Sequence, residues 1–392
     1  MKKKILVLLL ASLLIFTAVI TGTAQDTDDY DKTNAFQDVI FLIKNYYVED
    51  VELDTLLEGA IDGMLNKVDR FSYYMDAEEY EEMQIEYEGH YGGVGIVITT
   101  RDNKLTVVSP IKGTPGERAG LRAGDIITAI DGVKTGEISQ MKAVDLMRGE
   151  PGTDVVLTVE RSDMDQELEV KITREDIEVP YVESEMKSEN IGYISLAQFV
   201  ENVGTDIETE LNKLKEQGAE GVILDLRNNP GGLLSEAVNV VSNFISEGQV
   251  VSIRQRGNIE RVLNVNKEFK ADTEIPVIVL INKGSASASE IVAGAIKDYG
   301  RGKLMGTTTF GKGVVQSVVP LADGSAVSIT TARYYTPDGN YIHEKGIKPD
   351  IEVELDAEAA QNGEDNQLNK AVDMMKSFII TDEVQRKKAA GE

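Results

Sequence analysis

Short apolar strands alternate with helical segments in the second half of the chain, and this alternation constrains the fold most. The stretches 222–226, apolar except for Asp225, and 275–281, apolar throughout, have the composition and length of buried strands. Helical patterns follow them at 235–245 and 286–299. Strand–helix alternation of this kind favours an α/β core, which we expect to span residues 175–356.

The rest of the chain shows different patterns. Residues 89–174 contain short strands broken by glycine and predict a small β-domain with one or two helices. Residues 25–88 carry two apolar stripes at helix spacing, and residues 357–392 form an acidic tail that turns helical. The stripes predict faces that pack on the core or on a second subunit. Their members are Phe36, Val39, Ile40, Ile43 and Tyr47, then Leu53, Leu57, Ile61, Met64 and Leu65.

Residues 1–24 have the pattern of an export signal. Three lysines precede an apolar run over 5–20, and small residues follow at 21–24. The run is slightly long for a cleaved signal peptide and short for a spanning helix, so both a cleaved signal and a membrane anchor stay open. Either one predicts a protein outside the cytoplasm, secreted or anchored to the outer face of the cytoplasmic membrane.

The composition excludes several functions. A formal net charge of −27 disfavours nucleic acid as a partner and electrostatic docking of the folded part on anionic lipid. The absence of cysteine excludes disulfides, thiolate nucleophiles and cysteine-ligated zinc. With only two histidines, a histidine-rich metal centre is out of reach, and we expect no cofactor.

Two stretches carry candidate chemistry. In Gly284–Glu290, three serines alternate with alanine where a strand meets a helix, so one serine can cap the helix while another projects. The free N–H groups of a helix start suit a developing oxyanion. In the second stretch, Lys312 lies between two glycines beside apolar residues, and burial could lower its pKa enough to make it a base. Each signal is weak alone.

The histidines are poor candidates for the base. His90 lies at the entrance of the β-domain, and His343 lies in a turn-rich run. No Gly-x-Ser-x-Gly elbow surrounds a serine near either of them.

Together the two stretches resemble the carboxy-terminal processing peptidases, also called tail-specific proteases. The shared pattern is Gly-Ser-Ala-Ser-Ala-Ser-Glu, a lysine twenty-five residues after Ser287, and a glutamine four residues later. The resemblance covers nearly everything from about 34 to 356. It also includes the segments 56–64, 226–232 and 336–350.

The resemblance implies a serine–lysine–glutamine set. Ser287 would attack the peptide carbonyl, Lys312 would take its proton, and Gln316 would hold the lysine amine. The oxyanion would be bound by the N–H of Ala288 and by a glycine N–H of the turn that contains Gly231 and Gly232. Four residues of ideal strand span roughly 13 Å, so contact between Lys312 and Gln316 requires a bend.

The resemblance also implies the fold and the substrate. The core would be a β/α spiral like that of ClpP and crotonase, with an inserted PDZ domain at 89–174 and helical segments at both ends. A carboxylate-binding loop in that domain would take an apolar C-terminus of a polypeptide substrate. Arg148 would couple the PDZ domain to the active site, and the terminal helices would form a homodimer. The loop residues would be Gly93, Val94, Gly95 and Ile96.

Two other functions are compatible with parts of the sequence. A trypsin-like protease with a PDZ domain needs a Gly-x-Ser-Gly-Gly nucleophile, which the chain lacks. A catalytically silent binding protein on the same core remains the alternative, because such folds also bind ligands. That protein should have lost a member of the catalytic set, yet Ser287, Lys312 and Gln316 are all present.

Overall fold

The structure is a computed structural model that describes residues 27–164 and 166–390. The predicted export signal at 1–24 lies outside these residues. The chain divides into two compact units. The first contains the described residues up to Tyr74 together with Val327–Ile329, and the second contains Met75–Ala326 and the chain from Thr330 onward.

The first unit is helical. Helix α1 spans Thr27–Tyr46, helix α2 spans Leu53–Leu65, and the short strand β1 begins at Tyr73 and ends at Met75. The apolar stripes predicted for this region are largely exposed, since Phe36 is 44% and Leu57 is 37% accessible. Among the described helices, none is long and apolar enough to cross a membrane.

The β-domain predicted at 89–174 is a six-stranded sheet with one helix of eight residues. Its strands run in the order β3-β4-β5-β7-β8, with β6 beside β5, so β3 is an edge strand. The side chains of Ile127, Ile130 and Leu157 are fully buried in its core. Helix α3 (Ala77–Glu88) precedes this domain, and strands β2 (His90–Gly93) and β9 (Glu175–Glu178) pair with each other at its two ends. The other elements are β3 (Ile96–Arg101), β4 (Lys104–Pro110), α4 (Pro115–Arg118), β5 (Ile126–Ile130), β6 (Val133–Lys134), a 3-10 turn (Thr135–Glu137), α5 (Gln140–Met147), β7 (Asp154–Glu160) and β8 (Leu168–Thr173).

The α/β core predicted at 175–356 contains a second six-stranded sheet. Strand β10 is antiparallel to β11, and β11, β12, β15, β16 and β19 are parallel. The elements are β10 (Val182–Ser188), β11 (Ile191–Leu196), α6 (Val203–Glu216), β12 (Gly221–Asp225), α7 (Leu234–Ser242), β15 (Val277–Ile281), α8 (Ala288–Asp298), β16 (Lys303–Gly306), β19 (Ile351–Glu352), α9 (Ala357–Gln361) and α10 (Asn366–Ala390).

Both faces of this sheet are covered. Helices α6, α7 and α8 share one apolar cluster with it, while α10 packs into a separate cluster through Ala371 and Met375. Every residue of β12 and β15 is therefore buried, which explains their continuous apolar sequences. Because β12 and β15 are adjacent and parallel, the loops that follow them meet at one edge of the sheet.

A smaller sheet completes the core. Strand β13 is antiparallel to both β14 and β18, and β17 pairs with β18. The strands are β13 (Gln249–Gln255), β14 (Glu260–Asn264), β17 (Val314–Pro320) and β18 (Ala326–Tyr335).

Candidate active site

The turn after β15 presents Ser287 between two buried serines. The Ser285 hydroxyl donates to the Leu226 carbonyl at 2.7 Å, and the Ser289 hydroxyl donates to the Asn229 carbonyl at 3.0 Å. Both therefore fasten this turn to the loop after β12. Ser287 is only partly buried and immediately precedes α8, with φ 53° and ψ −113°. Such a conformation is costly for a residue with a Cβ and is concentrated at functional sites.

The glycine turn after β12 lies directly against this serine. A Cβ on Gly231 would be 2.7 Å from the Ser287 Cβ and 3.0 Å from the Ala288 nitrogen. A Cβ on Gly232 would be 2.2 Å from the Phe199 carbonyl oxygen. The φ angles of Gly231 and Gly232, 108° and 138°, are also accessible only to glycine. The close approach of this turn thus explains the two consecutive glycines.

Two backbone N–H groups beside Ser287 remain available. The Gly231 N–H already donates to Asn229 Oδ1 at 2.9 Å. Within the described part of the chain, the N–H groups of Ala288 and Gly232 have no acceptor. The loops from two adjacent strands therefore place one unused donor on the residue after Ser287 and another on the residue after Gly231, the glycine that contacts Ser287.

A buried carboxylate joins the serine turn to the lysine loop. Glu290 has no exposed surface, and its Oε2 accepts the Ser287 N–H at 3.0 Å and the Lys312 N–H at 2.8 Å. Its Oε1 accepts the Thr309 hydroxyl at 2.5 Å and the Gly311 N–H at 2.8 Å. The two bonds to Oε2 limit the separation of the Ser287 and Lys312 nitrogens to 5.8 Å at most. One side chain thus holds both backbones at the site.

Tyr334 adds a second contact to the serine turn. Its hydroxyl donates to the Ser287 carbonyl at 3.2 Å, and its side chain is 1% exposed. Burial, followed by the neighbouring Glu290 carboxylate, raises the pKa of Tyr334 well above its usual value. The hydroxyl therefore remains a donor throughout the physiological pH range.

Lys312 lies in an irregular loop, and Gln316 lies in the strand that follows. The lysine is half-buried between Gly311 and Gly313. A Cβ on Gly313 would be 2.7 Å from the His343 nitrogen, so the two backbones are in contact. Strand β17 begins only at Val314, and the Gln316 amide nitrogen donates to Thr330 Oγ1 at 3.1 Å. Lys312 and Gly313 therefore precede the strand, whereas Gln316 lies within it and bonds to the neighbouring strand β18.

The predicted carboxylate-binding loop connects β2 to β3. Its carbonyl groups are used internally, because Val94 accepts the Gly116 N–H at 2.7 Å and Gly95 accepts the Ile111 N–H at 3.0 Å. In the described residues, the N–H groups of Val94 and Gly95 have no acceptor. Gly93 ends β2 and Ile96 begins β3, the exposed edge of the sheet.

Arg148 ends the PDZ helix and reaches back to α3. It forms an ion pair with Glu82, and its guanidinium lies 4.9 Å from the centre of the Tyr91 ring. Burial raises the pKa of Tyr91, and the positive charge of Arg148 opposes that rise. Arg148 therefore links the PDZ domain to the helix that precedes it.

The sequence did not assign a role to Glu290 or to the Arg227 network. The Arg227 guanidinium is held by Asp225 at 2.6 Å and Asp365 at 2.6 Å. Burial by itself lowers the pKa of Arg227, but the bonds to both carboxylates raise it overall, so the side chain stays charged. Tyr193 donates its hydroxyl to Asp225 at 2.9 Å. For Glu290 the sequence contains one signal: the residue lies three positions after Ser287, which is the spacing of a capping box.

Comparison with known proteins shows the family to which the chain belongs. Residues 190–353 match the model of peptidase family S41, residues 106–161 match a PDZ domain, and residues 17–79 match the N-terminal domain of the activating protease CtpB. A carboxy-terminal-processing protease of Bartonella bacilliformis is 41% identical over 369 residues, which are 93% of this chain and 85% of the relative. The chain belongs to the carboxy-terminal-processing proteases.

Other relatives of this serine-type protease are also similar. A Staphylococcus aureus protein described as "Probable CtpA-like serine protease" is 36% identical over 358 residues, covering 88% of this chain and 72% of the relative. A solved structure from Bacteroides fragilis, described as an S41 protease, has a TM-score of 0.50 at 18% identity and covers 87% of this chain and 97% of that one. The predicted family, enzyme class and fold class, a peptidase core with a PDZ domain, are confirmed.

Proposed function

We propose that this protease is an exported endopeptidase that hydrolyses peptide bonds with Ser287, Lys312 and Gln316. The observation that carries the proposal is the shared Glu290 carboxylate, which holds the backbones of Ser287 and Lys312 together. The N–H groups of Ala288 and Gly232 beside the serine support it. Its substrates are polypeptides, in keeping with the protease family and the PDZ domain.

The reaction proceeds through an acyl-enzyme. Neutral Lys312 takes the Ser287 hydroxyl proton as Oγ bonds to the scissile carbonyl carbon, and the resulting oxyanion is stabilised by Ala288 and Gly232 N–H groups. The intermediate collapses, the C–N bond breaks, and the lysine ammonium returns the proton to the leaving amine. A water then attacks the ester while Lys312 accepts a water proton and passes it to Ser287. Gln316 orients the lysine amine.

The PDZ domain selects the substrate by its C-terminus. The free N–H groups of Val94 and Gly95 bind the terminal carboxylate, and the last substrate residues pair with the edge strand β3. The buried apolar side chains of Val94 and Ile96 favour apolar terminal residues. Arg148 couples the occupied PDZ domain to the active site through its contacts with Tyr91 and Glu82.

The protease works outside the cytoplasm and assembles as a homodimer through its terminal helices. The export pattern at 1–24 supports the location, either secreted or anchored to the outer face of the cytoplasmic membrane. The exposed apolar side chains of the N-terminal helices support the dimer, since Phe41 is 59% and Leu42 is 53% accessible. The proposed domains are residues 25–88, 89–174, 175–356 and 357–392.

The proposed mechanism is tested by cleavage of an unstructured polypeptide with an apolar C-terminus. Ser287→Ala and Lys312→Ala should each abolish cleavage, while Ser246→Ala and Lys303→Ala, which change exposed residues outside the site, should not alter it. Cleavage retained by either active-site variant contradicts the mechanism. If the wild-type protein cleaved none of the polypeptides, whatever their C-terminal residues, the result would favour a catalytically silent binding protein.

The same assay tests the PDZ domain. A substrate with an amidated C-terminus should be cleaved with a higher KM, because the amide cannot accept the charge-assisted bonds that a carboxylate accepts. Equal KM values for the free acid and the amide would contradict recognition of the carboxylate.

A further inference from the structure

The Arg227 guanidinium connects the site to the C-terminal segment. On one side its Nε lies 3.0 Å from both oxygens of Asp225, at the end of β12. On the other side Nη1 and Nη2 donate to the two oxygens of Asp365 at 3.0 and 2.6 Å, and Nη1 also donates to Gln367 Oε1 at 3.0 Å. Asp365 immediately precedes helix α10. An arginine fork held by both ends of its planar group has one fixed orientation.

Arg227 is also the second residue of the loop that contains the glycine turn. The next residue, Asn228, has φ 60°, and its N–H donates to Asn282 Oδ1 at 2.9 Å. A Cβ on Gly284 would be 2.7 Å from the Asn228 Cα, so the serine turn packs tightly on one side of this loop. Any rotation at Arg227 would therefore be transmitted to the glycine turn and the serine turn together.

The other side of the loop is not packed. A cavity of about 630 Å³ lies there, at the carboxyl ends of the parallel strands. Its lining includes Arg227, Asn228, Leu355, Asp365 and Gln367. Because this space is not filled by apolar packing, the ionic bridge from Asp365 to Arg227 is a main support of the loop at the cavity wall.

We propose that Asp365 is a positioning residue that fixes the oxyanion-binding turn through Arg227. The inference rests on the proposed function, because it assumes that the Gly232 N–H binds the oxyanion. Burial raises the pKa of Asp365, but its bonds to Arg227 lower it overall, so Asp365 is charged at neutral pH. The C-terminal segment thus contributes to transition-state stabilisation without touching the substrate.

The test is Asp365→Asn in the full-length protease. The side-chain oxygen can still cap helix α10 through the Leu368 N–H, a bond of 2.9 Å in the native protein. The new amide group would face the donors of Arg227 Nη2 and displace the guanidinium. Asp373→Asn is the matched control, because Asp373 lies on the same helix with a 73% exposed side chain. Gln367→Ala, which removes one acceptor of Arg227, is a milder second variant.

Four quantities are measured for each variant: kcat per titrated active site, KM, the affinity for a peptidyl aldehyde, and the melting temperature. The aldehyde forms a hemiacetal with Ser287, and the hemiacetal oxygen binds in the oxyanion hole. Removing a whole oxyanion donor costs about 10²–10³ in kcat. In Asp365→Asn, the displaced donor should lower kcat and aldehyde affinity by about tenfold to a hundredfold and leave KM unchanged. Gln367→Ala should lower kcat and aldehyde affinity by a smaller factor.

A normal kcat per titrated site in both variants, or equal losses in Asp373→Asn, would overturn the positioning role, whatever the change in melting temperature. The failure of the proposed function is distinguishable from this result. If Ser287→Ala remained active, the serine mechanism itself would be wrong. If Ser287→Ala were inactive while Asp365→Asn behaved as wild type, only the role of Asp365 would be lost.

Discussion

Glu290→Gln is the most informative perturbation of the site, because four donors converge on this carboxylate. Two of them, the N–H groups of Ser287 and Lys312, meet at Oε2, and the Gly311 N–H and the Thr309 hydroxyl meet at Oε1. A glutamine keeps the shape but offers one oxygen and one amide group. The Thr309 hydroxyl can rotate and accept a hydrogen bond from the new amide group, but a backbone N–H cannot. The amide group therefore faces at least one N–H donor that it cannot satisfy.

The magnitude follows from the number of donors left without an acceptor. A buried donor without an acceptor costs about 1–3 kcal/mol, and a hydrogen bond to a charged group contributes about 1.5–3 kcal/mol. If the amide replaces Oε1, one N–H is stranded, so Glu290→Gln should lower the free energy of unfolding by about 2–4 kcal/mol. Glu290→Ala strands three N–H groups, which approaches the whole stability of about 5–15 kcal/mol, so that variant is not expected to fold.

The assay is urea unfolding combined with kcat per folded molecule. Glu290→Gln should lower kcat at least tenfold, because the stranded N–H belongs to Gly311, directly before Lys312, and the loss of its acceptor shifts the lysine loop. Glu236→Gln is the control, since Glu236 is also a buried carboxylate and accepts the Gly204 N–H at 2.9 Å. That variant should lose stability but keep its kcat. Equal kcat values for wild type and Glu290→Gln would refute the reasoning.

Three further predictions concern other parts of the protease. Gly232→Ala should lower both the melting temperature and kcat on the same polypeptide, because its Cβ would be 2.2 Å from the Phe199 carbonyl oxygen, and a normal kcat per folded molecule would contradict the role of this turn. Burial raises the pKa of Asp125, but hydrogen bonds led by Arg161 lower it overall, so its contribution to stability is lost as pH falls through the folded pKa, below about 4. Asp125→Asn should therefore flatten the fall in melting temperature below that pH, and an unchanged slope would count against it. Arg148→Ala should change cleavage of substrates with a free C-terminus but not of amidated ones, and an identical response from both would contradict the coupling.

Local sequence patterns predicted much of this arrangement. Continuous apolar runs predicted the strands β12 and β15, since burial of both faces leaves a direct signature in composition. The two motifs around Ser287 and Lys312 predicted which loops would meet. Because parallel strands end at one edge of the sheet, the approach of their loops follows once the strand order is known.

Contacts between distant segments were not predictable. Arg227 and Asp365 are 138 residues apart, and nothing in either segment names the other. Glu290 resembles an ordinary capping residue, and its contacts with Thr309, Gly311 and Lys312 depend on how the lysine loop folds. Helical periodicity also predicted packing faces at 25–88, but periodicity cannot say what a face packs against.

The most direct test of the central claim is to locate the covalent adduct of a serine-reactive fluorophosphonate by tandem mass spectrometry. Three serines lie within five residues, and two of them donate their hydroxyls to backbone carbonyls. We expect an adduct on Ser287 alone in the wild-type protein and strongly slowed labelling in Lys312→Ala. An adduct on Ser285 or Ser289, or equal labelling rates with and without the lysine, would contradict it.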